Sequence, residues 1–185
     1  MMAGTIRAAL AMAGSVAVLA GGATAAHAEE RAPRSAAPTA ETVVQLQNVQ
    51  SGKCLEIDNG ATANGRRAQQ WTCYDTVEAQ KWRLVPAADS TFELRSQTSG
   101  KCLEVENSGT QAGAAVQQWS CFGGKNTHWR IVLVDHVNKL FQLRPAHVED
   151  RCLDITGAKM DNAVQAQQWS CNQTPAQLWR VKPVK

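Results

Sequence analysis

Short runs in which apolar and polar residues alternate recur along this chain, and Gly, Asn, Ser and Asp separate them. The first block of such runs comprises residues 43–48, 54–57, 69–73 and 81–85. Alternation with a period of two is typical of half-buried β-strands. The block therefore predicts four strands, with a tight turn at Ser51-Gly52 between the first two.

The same block occurs three times, over residues 43–88, 89–137 and 138–185. Each copy has a Cys-Leu-acid element, and a second cysteine follows nineteen residues after the first. A Gln-Gln-Trp element precedes that second cysteine, and another tryptophan follows it. Self-similarity of this kind is the signature of a fold built from structural repeats. We therefore predict an all-β domain of three pseudo-symmetric repeats with four strands each.

The first 28 residues differ from the repeats. Arg7 precedes an apolar, small-residue run over residues 8–26, and Ala26-His27-Ala28 fits a small-x-small cleavage site. We predict a signal peptide over residues 1–28, and hence a secreted, extracellular protein without a membrane segment after cleavage. A membrane anchor is the alternative, but the run is rich in Ala and Gly, and no stop-transfer pattern follows it. Residues 29–42, rich in Ala, Pro, Ser and Thr, predict a flexible lead-in.

All six cysteines occupy the repeated positions. Cysteines used so regularly in an exported domain favour disulfides, and repeat symmetry selects the pairing within each repeat. The predicted disulfides are Cys54–Cys73, Cys102–Cys121 and Cys152–Cys171. No cysteine pair has the spacing of a zinc site, so we predict no metal and no other cofactor.

The charge pattern bears on the class of partner. The formal net charge is +3 at pH 7, and Lys and Arg are scattered along the chain. A nucleic-acid binding protein concentrates basic residues on one surface, so we predict no nucleic-acid partner. Because three internal repeats take the place of subunits, a monomer is the expected state.

The disulfides suggest which side chains share a face. If the first bridge joins residues directly opposite on antiparallel strands, Glu56 lies opposite Trp71, and Asp58 lies opposite Gln69. Because side chains alternate across a strand, these four side chains share the face of the disulfide, and Leu55 points into the core. The equivalent groups are Glu104, Trp119 and Gln117 in the second repeat and Asp154, Trp169 and Gln167 in the third.

Each repeat thus groups a carboxylate, an amide and an indole, a combination that suits a sugar. An indole stacks on the apolar C–H face of a sugar ring, while the carboxylate and the amide form hydrogen bonds with its hydroxyls. Packing over the disulfide is the alternative for these tryptophans. The other three tryptophans lie in closing strands and are predicted to be core residues: Trp82, Trp129 and Trp179.

These elements resemble the ricin B-type lectin family, which also occurs as carbohydrate-binding modules of bacterial glycosidases. The likeness rests on the triple Cys-Leu-acid and Gln-x-Trp-x-Cys elements, and on the Gln-x-Trp signature at Gln80-Lys81-Trp82 and Gln177-Leu178-Trp179. The resemblance implies a β-trefoil of twelve strands with up to three shallow pockets for galactose-type or xylose-type units. No repeat matches the family pattern completely. Ala79 and Ala176 stand where the family often has Asn before the signature Gln, and Thr127 replaces that Gln in the second repeat. In the third repeat, Asn172 is a candidate substitute for the missing amide.

In that family the acid binds sugar hydroxyls and the aromatic residue before the second cysteine stacks on the sugar. The usual acid is Asp, which only the third repeat has. The best predicted site therefore comprises Asp154, Gln167, Trp169 and Gln177. Weaker sites are expected where the longer Glu displaces the carboxylate, at Glu56, Gln69, Trp71 and Gln80, and at Glu104, Gln117, Trp119 and Asn126.

The sequence therefore predicts a secreted, non-catalytic protein that binds a polysaccharide or glycan. An enzyme is disfavoured, because His128, His136 and His147 do not occupy repeated positions, and no catalytic triad or carboxylate pair is recognisable. The alternative is a β-trefoil with degenerate sugar sites that binds a protein partner, such as a protease, through its loops.

Overall fold

The computed structural model describes residues 42–184, so the predicted signal peptide and all but the last residue of the predicted lead-in lie outside it. The described residues form twelve β-strands, four in each repeat. Their bounds are β1 (Thr42–Asn48), β2 (Cys54–Ile57), β3 (Arg66–Trp71), β4 (Lys81–Ala87), β5 (Thr91–Ser96), β6 (Cys102–Val105), β7 (Val116–Trp119), β8 (His128–Asp135), β9 (Leu140–Pro145), β10 (Arg151–Ile155), β11 (Val164–Ser170) and β12 (Trp179–Pro183).

Short 3-10 helices follow the second strand and precede the fourth strand of each repeat. Within residues 42–184, no helix has the length and apolar character needed to cross a membrane. The 3-10 helices are Asp58–Gly60, Glu78–Gln80, Glu106–Ser108, Lys125–Thr127, Thr156–Ala158 and Pro175–Gln177.

The first and last strands of the repeats close a six-stranded ring. β1 pairs with β4, β4 with β5, β5 with β8, β8 with β9, β9 with β12 and β12 with β1, all antiparallel. A closed ring leaves these strands without a free edge. The second and third strands of each repeat form a hairpin, and the hairpins pair with one another through β3, β7 and β11. This is the β-trefoil that the resemblance implied.

The second tryptophan of each repeat lies in the core, as predicted. All three indoles are fully buried, and each indole N–H donates to a backbone carbonyl in the second strand of its own repeat. This bond satisfies the polar atom that burial would otherwise leave unpaired. The pairs are Trp82 with Leu55 (3.1 Å), Trp129 with Leu103 (2.9 Å) and Trp179 with Leu153 (3.2 Å).

The three predicted disulfides are present, but the predicted strand register is wrong by two residues. Cys54 pairs with Trp71 rather than lying opposite Cys73, and Glu56 pairs with Gln69 rather than with Trp71. β3 ends at Trp71, so Cys73 lies beyond the strand, and its sulfur reaches back diagonally to Cys54. A shift of two residues preserves the alternation of side chains, which is why the predicted common face survives.

The third strand of the first repeat also differs from its prediction. It spans Arg66–Trp71 instead of residues 69–73. Asp58 lies in a 3-10 helix rather than opposite Gln69, and it forms an ion pair with Arg66 at 2.7 Å. The predicted turn at Ser51-Gly52 is present, with Gly52 in the left-handed region at a φ of 67°.

Candidate functional site

The central group of each site is a carboxylate on the second strand of the repeat. Glu56, Glu104 and Asp154 are only 7%, 4% and 6% exposed. In each carboxylate, one oxygen accepts a hydrogen bond from the glutamine opposite it, and the other accepts from an amide in the 3-10 helix that precedes the fourth strand of the repeat. The donors are Gln69 and Gln80 to Glu56 (both 3.0 Å), Gln117 and Asn126 to Glu104 (both 2.9 Å), and Gln167 and Gln177 to Asp154 (2.8 and 3.1 Å).

Burial shifts the pKa of two of these carboxylates, Asp154 and Glu104. Burial raises the pKa of Asp154, against the opposing effect of the hydrogen bonds from Gln167 and Gln177. Burial also raises the pKa of Glu104, and the nearby Glu106 charge adds to that rise. A carboxylate oxygen has two lone-pair directions, so each oxygen keeps one for a further donor. The fixed carboxylates are therefore strong, oriented acceptors for ligand hydroxyls.

An indole stands at the end of the strand opposite each carboxylate. Trp119 and Trp169 are 40% and 42% exposed, and Trp71 is intermediate. Of the two alternatives that the sequence left open, exposure therefore holds for Trp119 and Trp169, whereas Trp71 is partly covered. A half-open indole offers a flat apolar face to a ligand at little cost in conformational entropy.

The indoles of the second and third repeats lie against a loop of another repeat. A Cβ at Gly65 would lie 3.7 Å from Trp119, and one at Gly113 would lie 3.6 Å from Trp169. The middle residue of each Gln-Gln-Trp element fixes that loop, because its buried side-chain amide donates to two loop carbonyls. The bonds run from Gln70 to Lys159 and Asp161, from Gln118 to Ala61 and Ala63, and from Gln168 to Gly109 and Gln111.

The signature glutamines lie behind the carboxylates. Gln80 and Gln177 are fully buried, and each also binds the backbone on both sides of the second cysteine. In the second repeat, Asn126 supplies the second amide one position earlier in the sequence, where Ala79 and Ala176 stand in the other repeats. Asn126 thereby compensates for Thr127, whose hydroxyl donates to Gly124 instead.

A surface cavity adjoins each carboxylate and its indole. The cavity volumes are about 270 Å³ in the first repeat, 240 Å³ in the second and 580 Å³ in the third. Each is lined by the carboxylate, the exposed tryptophan and the residue that follows the second cysteine. Those three following residues are Tyr74, Phe122 and Asn172.

Comparison with known proteins agrees with this geometry. The model of the ricin-type β-trefoil lectin domain-like family matches three overlapping stretches, residues 34–119, 80–164 and 125–185. The chain belongs to this family. Among curated proteins, no sequence matches the chain.

Solved structures with this lectin fold are similar over most of the chain. A designed threefold-symmetric protein, ThreeFoil, is 34% identical with a TM-score of 0.71, over 76% of this chain and 97% of its own. An exo-β-1,3-galactanase from Clostridium thermocellum is 25% identical with a TM-score of 0.73, over 80% of this chain and 31% of the enzyme. A ricin B-like lectin from Macrolepiota procera, solved with lactose, is 18% identical with a TM-score of 0.64, over 76% and 94%, and shows the fold alone.

Reasoning from the sequence missed part of these lectin-type sites. The structure brings every predicted site residue to one of the three carboxylate groups, and it adds Tyr74 and Phe122 to the walls of the first two cavities. Asn172, the candidate substitute for the missing amide, lines the third cavity. Their fixed position directly after the second cysteine was a usable signal. Gln50, from the first repeat, lines the third cavity, and no local pattern predicts such a contact between repeats.

One group of potential metal ligands comes together within residues 42–184. A carboxylate oxygen of Glu93 and the sulfurs of Cys102 and Cys121 lie within 4.8 Å of one another. Because the two sulfurs form a disulfide, neither is a thiolate ligand.

Proposed function

We propose that this chain is a secreted, non-catalytic lectin that binds galactose-type or xylose-type units of polysaccharides or glycans, with its principal site in the third repeat. The observation that carries the proposal is the threefold recurrence of one arrangement. In each repeat, a carboxylate fixed by two amides adjoins a half-open indole in a surface cavity. This arrangement matches a pyranose, which has an apolar C–H face and a rim of hydroxyl donors.

The third site is the principal one because it combines the largest cavity with the most open indole of the three. Asp154 accepts from Gln167 and Gln177, so its remaining lone pairs are aimed before a ligand arrives. Preorganisation of this kind lowers the entropic cost of binding. The relatives support a sugar ligand, since one is a galactanase and another was solved with lactose.

Repetition of the site offers a route to useful affinity. A single shallow pocket binds weakly, because one sugar ring makes few contacts. When several pockets engage one polysaccharide, each later binding event is intramolecular and gains from a high effective concentration. We therefore expect polymeric ligands to be retained much better than free sugars.

The test is a glycan array that includes galactosides and xylan fragments, probed with the wild-type protein and with the variants Trp71→Ala, Trp119→Ala and Trp169→Ala. We expect wild-type binding and the greatest loss for Trp169→Ala. Circular dichroism of each variant controls for folding. A folded wild-type protein that retains no glycan at high concentration would overturn the proposal and direct attention to a protein partner.

A further inference from the structure

The third cavity differs from the other two in size. At about 580 Å³, it has roughly twice the volume of the first and second cavities, at about 270 and 240 Å³. All three adjoin the same carboxylate and indole arrangement. The additional volume therefore lies outside the part of the site that the repeats share.

The residue after the second cysteine explains part of this difference. An aromatic ring stands there in the first two repeats, where Tyr74 is 50% exposed and Phe122 is 60% exposed. Asn172 replaces the ring in the third repeat, and its shorter side chain leaves the wall open. Gly157 reduces another part of the wall, where the first and second repeats have Asn59 and Asn107.

Gln50 and Asn172 line the enlarged cavity, and the side chain of each has a hydrogen-bonding group that is available to a ligand. Gln50, from the turn between β1 and β2, donates its amide hydrogen to the backbone oxygen of Ala158, and its Oε1 accepts from no described residue. Asn172 Oδ1 accepts from the backbone N–H and the hydroxyl of Thr174 at 3.1 and 2.8 Å. The backbone N–H of Asn172 donates to Gln177 Oε1, whereas its side-chain Nδ2 donates to none of residues 42–184.

The hydrogen bonds already formed fix both side chains. Thr174 holds the oxygen of Asn172, which leaves the amide hydrogens for a ligand, and Ala158 holds the amide of Gln50, which leaves the oxygen. One free donor and one free acceptor suit two hydroxyls of a second sugar ring. The first two sites lack this pair, because Tyr74 and Phe122 occupy the position of Asn172.

From these observations we propose that the third cavity binds two adjacent sugar units. The first ring stacks on Trp169 and donates to Asp154, and the second ring lies between Gln50 and Asn172. The first and second repeats take single units. This inference rests on the proposed lectin function and makes it more specific. The preferred ligand is an oligosaccharide segment that is bound both by the third repeat and by a turn of the first repeat.

The test uses a protein in which only the third site operates, the double variant Trp71→Ala/Trp119→Ala, referred to as the third-site protein. Calorimetry compares galactose with lactose and xylose with xylobiose. Two added hydrogen bonds of ordinary strength correspond to about tenfold in affinity, so we expect a disaccharide to bind about tenfold more tightly than its monosaccharide.

Two further substitutions in the third-site protein locate the second subsite. Gln50→Ala removes the acceptor, and Asn172→Tyr restores the aromatic wall of the first repeat. We expect each to remove most of the disaccharide preference, so that the affinities for a disaccharide and for its monosaccharide differ by less than about twofold in either variant. Gln165→Ala, the same chemical change at an exposed position outside the cavity, is the matched control and should alter neither affinity.

The outcomes separate this inference from the proposed function. A third-site protein that binds monosaccharide and disaccharide equally overturns the second subsite but leaves the lectin function standing. A disaccharide preference that persists in Gln50→Ala and Asn172→Tyr also overturns it. A folded third-site protein that binds none of the four sugars overturns both.

Discussion

The second and third repeats build different surfaces on the same frame. Both present a buried carboxylate held by two amides, and both have an indole that is about two-fifths exposed. The second surface adds the ring of Phe122, whereas the third has Asn172 and a cavity of more than twice the volume. The repeats thus stay alike where the barrel and the carboxylate require it. They diverge at the residues that a ligand would contact.

The largest expected effects concern the part that the repeats share. Replacing a fully buried tryptophan by alanine leaves a cavity and strands a backbone carbonyl, so Trp129→Ala and Trp179→Ala should each cost about 3–5 kcal/mol in the free energy of unfolding. Denaturant titrations followed by circular dichroism measure this. The exposed Trp119→Ala and Trp169→Ala are the matched controls and should cost much less. Equal losses at buried and exposed positions would contradict the division between core and site.

The next effect separates the two sites. Asp154→Asn keeps the size of the side chain but removes its charge and one acceptor, so two amide donors can no longer both be satisfied. Hydrogen bonds to a charged group contribute about 1.5–3 kcal/mol, and we therefore expect at least a tenfold loss of sugar affinity in the third-site protein. Glu104→Gln, the equivalent change in the second repeat, should leave third-site affinity unchanged. Unaltered binding by Asp154→Asn would exclude the carboxylate as a ligand contact.

The sequence anticipated the features that repeat in phase. Three copies of each cysteine and tryptophan position predicted the disulfides and the buried Trp82, Trp129 and Trp179, and left exposure or packing open for the other three tryptophans. These features depend on side-chain alternation and on symmetry, both of which can be read along the chain. The register of β2 and β3 was missed because a disulfide was assumed to join opposite residues.

Contacts between repeats could not be anticipated in the same way. Gln70 reaches loop carbonyls at Lys159 and Asp161, about ninety positions away in the sequence, and Gln50 lines a cavity of the third repeat. Such contacts depend on how the hairpins pair around the barrel, which alternation along one strand does not determine. The sequence shows both glutamines of each Gln-Gln-Trp element, but it indicates a chemical role only for the first one, which lies on the same face as the carboxylate.

A smaller effect concerns the pH dependence of binding. Burial raises the pKa of Asp154, and sugar hydroxyls donate much more strongly to its ionised form than to the protonated one. Affinity of the third-site protein should therefore fall as the pH drops through this raised pKa, by about tenfold for each unit below it. Calorimetry over a pH series measures the fall. Stability follows the opposite trend. Because the pKa of Asp154 is raised in the folded state, the contribution of Asp154 to stability is present at low pH and is lost as the pH rises through the raised pKa. Protonation of Asp154 therefore weakens binding without favouring unfolding. Constant affinity down to the ordinary pKa of an aspartate would contradict the assignment.

The smallest effect concerns the loop position that supports the indoles. Gly65 and Gly113 have φ values of 77° and 86°, and the equivalent residue of the third repeat is Ala163, with a φ of 64°. A residue with a Cβ costs about 1–2 kcal/mol in this left-handed region, whereas glycine raises the entropy of the unfolded chain by about 0.4–1 kcal/mol. Ala163 is exposed, so its methyl group contributes little packing. Ala163→Gly should therefore stabilise the protein by about 0.5–1 kcal/mol, measured from denaturation midpoints.

The reciprocal change Gly113→Ala should destabilise it by a similar amount, because the new Cβ would make only ordinary contact with Trp169, at 3.6 Å, and the backbone strain would remain. Opposite signs for the two substitutions would show that backbone conformation at this position, rather than contact with the indole, sets the preference for glycine. Stabilisation by both would show that contact with the indole outweighs the strain.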